Sequence, residues 1–250
     1  MINKIISKWL DIKTKYFEKS TNKIPTHVAY IVDGNGRWAA KHNLERSDGH
    51  KQGASIAFNI VKNTFDEGST YVTLYLFSME NWERPIKEVD YIMELLEKFL
   101  LENREKLKEN NITIRIIGKI DKLSSNIQKI ILDYNSEEVK GNVLILALSY
   151  SGRYDIIETC KSIINQNINI EDITEKLFSE NTLTGKLNIP DPDLIVRTSG
   201  ELRLSNFYLW QASYSELYFC DKYWPDLNEN DIKKIFTEYS KKRNRRFGKI

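Results

Sequence analysis

From His27 onward the chain alternates between two kinds of apolar pattern. Short continuous runs read as strands: HVAYIV (27–32), YVTLYLFS (71–78), ITIRIIG (112–118), VLILALSY (143–150), LIVRTS (194–199) and ELYFCD (216–221). Between them lie stretches with helical spacing, near 51–66, 86–109, 121–138, 153–165, 171–181 and 229–243. Strand and helix in turn predict an α/β fold with a mainly parallel central sheet flanked by helices. Continuous apolar strands are what such a sheet needs when helices cover both its faces. No repeat, low-complexity tract or linker interrupts 27–248, so a single domain over 24–250 is expected.

Residues 1–23 stand apart. Ile2, Ile5, Ile6, Trp9, Leu10, Tyr16 and Phe17 fall at helical spacing, while six lysines against Asp11 and Glu18 give the segment a net charge of +4. Such a segment either packs on the body or rests, as a basic amphipathic helix, on an anionic membrane surface. No run of 18 apolar residues occurs, and the N-terminus lacks the apolar core of a signal peptide, so a cytoplasmic protein is expected, with peripheral membrane contact at most. Two distant cysteines and three histidines argue against a structural zinc site. The net charge of the whole chain is +2, so nucleic acid is not an expected partner and any anion must meet a local cluster.

In open α/β sheets ligands bind beyond the carboxyl ends of the strands. The first strand is followed by Asp33, Gly34, Asn35, Gly36, Arg37 and Trp38, and the second by Ser78, Met79, Glu80, Asn81, Trp82 and Arg84. SYSGRYD follows the strand at 143–150, and LIV is followed by Arg197, Arg203, Leu204 and Ser205. Arg46 and His50 open the helix after the glycine-rich turn. Arginine forks match phosphate oxygens, and glycine turns before a helix present backbone N–H groups to an anion. Each feature also has an ordinary reading. Asp-Gly and Asn-Gly are common turns, a histidine near a helix start is often a cap, and the arginines could be surface ion pairs. Their convergence on one edge of the sheet favours a phosphate site. Walker, dinucleotide-binding and nucleophile-elbow motifs are absent from the sequence.

The segments HVAYIVDGNGRWAAK, FSMENWERP, SYSGRYDI, DLIVRTSGELRLSNFYLWQASYSELYF, WPD and RNRRFG, in this order from His27 to Gly248, resemble the cis-prenyltransferases. The resemblance implies a homodimeric, Mg²⁺-dependent enzyme that adds isopentenyl diphosphate units to an allylic diphosphate such as farnesyl diphosphate. Each new double bond is cis, and an apolar tunnel holds the growing chain. It further implies that Asp33 and Glu216 hold Mg²⁺. Gly34, Asn35, Gly36, Arg37, Arg46 and His50 would hold the allylic diphosphate, with Trp38 beside the prenyl chain. Arg197, Arg203 and Ser205, with Leu204 among them, would hold isopentenyl diphosphate. Ser78, Met79, Glu80, Trp82 and Arg84 would form a mobile loop over the site, and Asn81 would orient the group that handles the departing proton. Val89, Ile92, Met93, Leu96, Phe99 and Leu100, otherwise a core stripe on the helix at 86–109, would wall the tunnel. The resemblance favours a product of about eleven isoprene units, which apolar composition alone does not fix. The chain departs from the family at Met79, at Ser199, where glycine is common, and at Ser151, whose extra bulk is expected to shift its turn slightly.

Overall fold

In the computed structural model, which describes residues 24–242, six parallel strands form one sheet in the order β3-β4-β2-β1-β5-β6. The strands are β1 (His27–Ile31), β2 (Tyr71–Ser78), β3 (Ile112–Ile117), β4 (Asn142–Tyr150), β5 (Leu194–Arg197) and β6 (Glu216–Phe219). The helices are α1 (Asn35–Lys41), α2 (Arg46–Asp66), α3 (Ile86–Glu102), α4 (Arg104–Glu109), α5 (Ser125–Ser136), α6 (Gly152–Asn165), α7 (Glu175–Asn181) and α8 (Glu229–Lys242). The amphipathic segment 1–23 and the RNRRFG motif lie outside the described residues.

Alternation along each strand builds two cores. Val28 and Tyr30 of β1, with Leu144, Leu146 and Leu148 of β4, face α2, α3, α5 and α8. Ala29 and Ile31, with Val143, Ile145 and Ala147, face a second core that holds Tyr150, Phe207 and Tyr208. Both faces being covered explains why the strands read as unbroken apolar runs. Each fully buried Leu or Ile contributes about 1.5–3 kcal/mol.

Three predicted elements changed. The helix expected over 86–109 is two helices, because Asn103 turns its side chain onto the Phe99 carbonyl (3.0 Å) and leaves helical geometry at φ −97°, ψ 0°. The helix expected from residue 51 starts at Arg46, where the Asp48 carboxylate accepts the Glu45 N–H (3.1 Å). The stretch DGNGRW is a turn at Gly34 alone, and Asn35 already opens α1.

His27 is buried at the start of β1. Its Nδ1 lies 2.7 Å from the Pro190 carbonyl, which can only accept, so Nδ1 carries the proton and Nε2 accepts from the Thr73 hydroxyl (2.8 Å). Burial pushes its pKa down to about 4, although the Pro190 carbonyl and Asp193 pull the other way. The unfolded chain therefore takes up a proton near pH 6.5 that the folded chain refuses until about pH 4. This contribution to stability is complete above pH 6.5 and falls as the pH drops through that window. Urea unfolding should lose about 2 kcal/mol between pH 7 and pH 5 through this residue. A His27→Asn variant with the same pH slope as wild type would refute the assignment.

Candidate functional site

The chain crosses from one side of β1 to the other between β4 and β5, so β1 and β5 meet at the switch point of the sheet. Ile31 pairs with Arg197, which brings Asp33 and Arg197 together beyond the carboxyl ends of their strands. Arg197 NH2 donates to Asp33 Oδ2 (2.9 Å), and Arg37 NH2 donates to Asp33 Oδ1 (3.2 Å) from one turn into α1. Burial alone would raise the Asp33 pKa, but Arg197 and Arg37 outweigh it and hold the carboxyl below its usual value. The backbone of Asp33 is pinned as well. Its N–H donates to Thr198 Oγ1 (3.0 Å), and its carbonyl accepts from the Thr198 hydroxyl (2.6 Å) and the Trp224 N–H (3.0 Å).

Gly34 turns the chain at φ +104°, and a Cβ there would sit 2.8 Å from the Tyr223 ring. No side chain caps α1, so its first N–H groups have no partner within the helix. Gly49 of α2 is required by contact: a Cβ would lie 2.1 Å from the Asn35 carbonyl oxygen. The two helices therefore pack backbone to backbone beside Asp33.

The segment after β5 bends repeatedly. Ser199, Gly200, Ser205, Asn206 and Tyr208 all have positive φ. Such backbone is uncommon for residues other than glycine and clusters at functional sites. Arg197 donates to Ser205 Oγ (2.8 Å) and to the Arg203 carbonyl. Glu201 pairs with both Arg37 (3.0 Å) and Arg203. Ser199, at φ 75°, carries a hydroxyl that accepts from Arg37. Ser151 helps shape the turn after β4. It lies in extended backbone at φ −152° and its hydroxyl caps α6, accepting also from Asn206 (2.6 Å).

A polar cavity of about 570 Å³ is lined by Asp33, Gly34, Asn35, Gly36, Arg37, Arg46, His50, Ser78, Asn81, Arg84, Arg197, Arg203 and Ser205. An apolar cavity of about 90 Å³ adjoins it, bounded by Leu74, Leu95, Leu96, Phe99, Leu148 and Trp224, and the two share Val32, Asn35, His50, Leu76 and Ile92. Two buried polar atoms at this place lack a partner, Asn35 Oδ1 and Arg197 Nε.

Six expected residues lie elsewhere. Trp38 turns away from both cavities, stacks near His42 and donates to Asp226 (2.7 Å). Trp82 packs edge-on against Phe77 and donates to Ser149 (2.9 Å). Glu80 accepts from Asn206 (2.7 Å), and neither Met79 nor Leu204 lines a cavity. Residues 79–83 form a short 3₁₀ turn closed by the Asn81 side chain, which accepts the Ser78 N–H (3.1 Å). Glu216 is separated from Asp33 within the chain. It pairs with Leu194, which pairs with Val28, so it lies at the amino end of the sheet. At about 3.3 Å per residue, that is on the order of 16 Å from Asp33 along the strands. Parallel pairing forces this, since β6 starts where β5 starts. Among the described residues no group of three His, Cys, Asp or Glu side chains could hold a metal.

Sequence reasoning missed Thr198, Glu201, Asn206, Trp224 and Glu88. Glu88 is the signal most open to discovery, being an acid in the first turn of α3 and four residues after Arg84. Its Oε1 accepts from Arg46 (2.9 Å), Arg84 (2.9 Å) and His50 (3.2 Å). Burial would raise the Glu88 pKa, but His50 and the two arginines hold it down. The His50 pKa is lowered by burial and by the arginines, with Glu88 opposing.

The open parallel α/β sheet thus carries at its switch point a pocket rich in arginine joined to an apolar one. Residues 31–248 match the family model described as putative undecaprenyl diphosphate synthase. Over 230 residues the chain is 42% identical to an isoprenyl transferase of Aquifex pyrophilus, covering 91% of this chain and 97% of that one. Over 236 residues it is 43% identical to an isoprenyl transferase of Clostridium perfringens, covering 92% of each. A crystal structure of lavandulyl diphosphate synthase from Lavandula x intermedia in complex with dimethylallyl diphosphate superposes with a TM-score of 0.84 at 32% identity, covering 90% of this chain and 98% of that one. A probable undecaprenyl diphosphate synthase from Campylobacter jejuni superposes with a TM-score of 0.75 at 31% identity, covering 91% and 100%. The chain belongs to the undecaprenyl diphosphate synthase family of cis-prenyltransferases, and it is a prenyl-transferring enzyme.

Proposed function

We propose that the protein condenses isopentenyl diphosphate repeatedly onto an allylic diphosphate, farnesyl diphosphate in the first instance, to give a long cis-polyprenyl diphosphate of about eleven isoprene units. The observation that carries this is the joined pair of cavities. Five arginines, Arg37, Arg46, Arg84, Arg197 and Arg203, line one cavity, and the other is walled by leucines, phenylalanines and Trp224. A diphosphate with a hydrocarbon tail has this same division.

Arg37, Arg46, His50 and Arg84, with the uncapped start of α1, hold the allylic diphosphate. Arg197, Arg203 and Ser205 hold isopentenyl diphosphate, and the unpartnered Arg197 Nε supports an anion there. Asn81 orients the path of the lost proton, its amide being fixed by Ser78. Mg²⁺ fits this donor set, because it takes one or two carboxylates with substrate phosphates and water, and Asp33 supplies a carboxylate beside the phosphate-binding arginines. When bound, the metal supplies Lewis-acid polarisation of the diphosphate. The apolar cavity, at about 90 Å³, is far smaller than a long polyprenyl chain, so a long product requires its walls to part.

The protein acts as a homodimer in this reading. β6 is an edge strand with Leu217 exposed, and Leu202, Leu209 and Tyr214 are exposed in the segments before it. Among the described residues no helix is long and apolar enough to cross a membrane. A cytoplasmic enzyme that delivers its product to a membrane surface, helped by residues 1–23, agrees with that.

The test is incubation of purified protein with farnesyl diphosphate, radiolabelled isopentenyl diphosphate and Mg²⁺, followed by chain-length analysis. A ladder of long products that disappears with EDTA is expected. Phosphate release without elongation would identify a phosphate-ester hydrolase, and neither reaction would leave a non-catalytic subunit of the same fold.

A further inference from the structure

We propose that Glu88 is a positioning residue that gathers Arg46, His50 and Arg84 into the allylic end of the site and ties them to the helix roofing the apolar cavity. This rests on the reading of the polar cavity as a diphosphate site. Arg46 and His50 belong to the first turn or so of α2, whereas Arg84 precedes α3, so the three cationic or cationisable groups come from two separate parts of the chain. They share one acceptor, Glu88 Oε1, at 2.9, 3.2 and 2.9 Å. Two guanidinium groups held this close repel unless an anion stands between them.

The Glu88 side chain is 13% exposed and is absent from the walls of both cavities, although all three of its partners line the polar one. A ligand in the cavity therefore meets the cations, with the carboxylate behind them. Exposed ion pairs contribute little, but here a mostly buried carboxylate and His50 anchor the more exposed Arg46 and Arg84, and the shared acceptor fixes side-chain directions that would otherwise spread. One turn after Glu88, Ile92 lines both cavities, and Leu95, Leu96 and Phe99 of the same helix line the apolar one. The carboxylate thus sets the distance between the phosphate grip and the wall along which the tail lies. Arg197, Arg203 and Ser205 make no bond to Glu88, so the isopentenyl end is independent of it.

The experiment measures farnesyl diphosphate affinity by calorimetry, and KM for each substrate, in wild type, Glu88→Ala and Glu88→Asp, with thermal melts alongside. Glu88→Ala should weaken farnesyl diphosphate binding about tenfold or more, as expected for a lost charged hydrogen-bond cluster. KM for isopentenyl diphosphate should stay within about twofold. Glu88→Asp should recover part of the allylic affinity. Unchanged or tighter allylic binding in Glu88→Ala would overturn the proposal, the second case showing that the carboxylate competes with the ligand. So would an equal rise in both KM values with a lowered melting temperature, which marks general damage. Wild-type protein that fails to bind farnesyl diphosphate would instead sink the functional reading on which the proposal rests.

Discussion

Replacing Asp33 with alanine is expected to lower turnover by about three orders of magnitude, equivalent to about 4 kcal/mol of transition-state stabilisation. The argument is electrostatic. Asp33 stands where β1 ends, with Arg197 on one carboxylate oxygen and Arg37 on the other. Those arginines hold it ionised, despite partial burial, across the physiological pH range. In the proposed reaction it is the carboxylate beside the leaving diphosphate that can share Mg²⁺ with phosphate oxygens. Its removal frees Arg37 and Arg197 from an internal counter-ion, so binding of the two diphosphates should be kept or strengthened while the chemical step fails. The expected signature is a collapse of kcat with little rise in either KM. Asp33→Asn, which keeps the shape, should behave likewise in single-turnover assays. Retention of more than about a tenth of wild-type turnover by either variant would remove Asp33 from the mechanism.

The sheet was legible because its strands are buried on both faces. HVAYI and NVLILALSY admit no other ordinary reading, and helices fill the intervals between strands. The break at Asn103 was hidden because the deciding event is one side-chain bond to Phe99, which helical spacing does not register. α1 was hidden because glycine and asparagine dominate its first turn and signal a loop, whereas Gly49 of α2 gives that turn something to pack on. At the site, residues after strand ends were located by the rule for open sheets: Asp33, Arg37, Arg197, Arg203 and Ser205 all line one cavity. Directions of side chains were not legible. Trp38 and Trp82 share those loops yet bond to Asp226 and Ser149, because each indole N–H needs an acceptor. Glu216 lies near the site residues in sequence, but register decides its place, and register is a property of the pairing between strands. Acidic residues such as Glu88 and Glu201 escaped notice because a search for phosphate-binding groups selects cations and passes over their internal partners.

Trp224→Ala should be the most destabilising single change near the site, by about 3–5 kcal/mol. For a chain of this size that lowers the melting temperature by about 6–20 °C. Trp224 is fully buried, meets the edge of Tyr30 with ring centres 5.9 Å apart, and donates from Nε1 to the Gly53 carbonyl (2.9 Å). Alanine leaves a cavity and removes the second hydrogen bond to the Gly53 carbonyl, which keeps its helical one. Trp224→Phe keeps most of the ring and loses the hydrogen bond, so it should cost less, about 1–3 kcal/mol. A fall of under about 3 °C for the alanine variant would show that the core closes around the gap. The same residue also reaches the chemistry, because its backbone N–H supports the Asp33 carbonyl and its ring walls the apolar cavity. Activity of the alanine variant should therefore drop even at temperatures where it remains folded. The phenylalanine variant, which keeps most of the wall, should retain most of its activity. That split would show one side chain joining core stability to the placement of the site's central carboxylate.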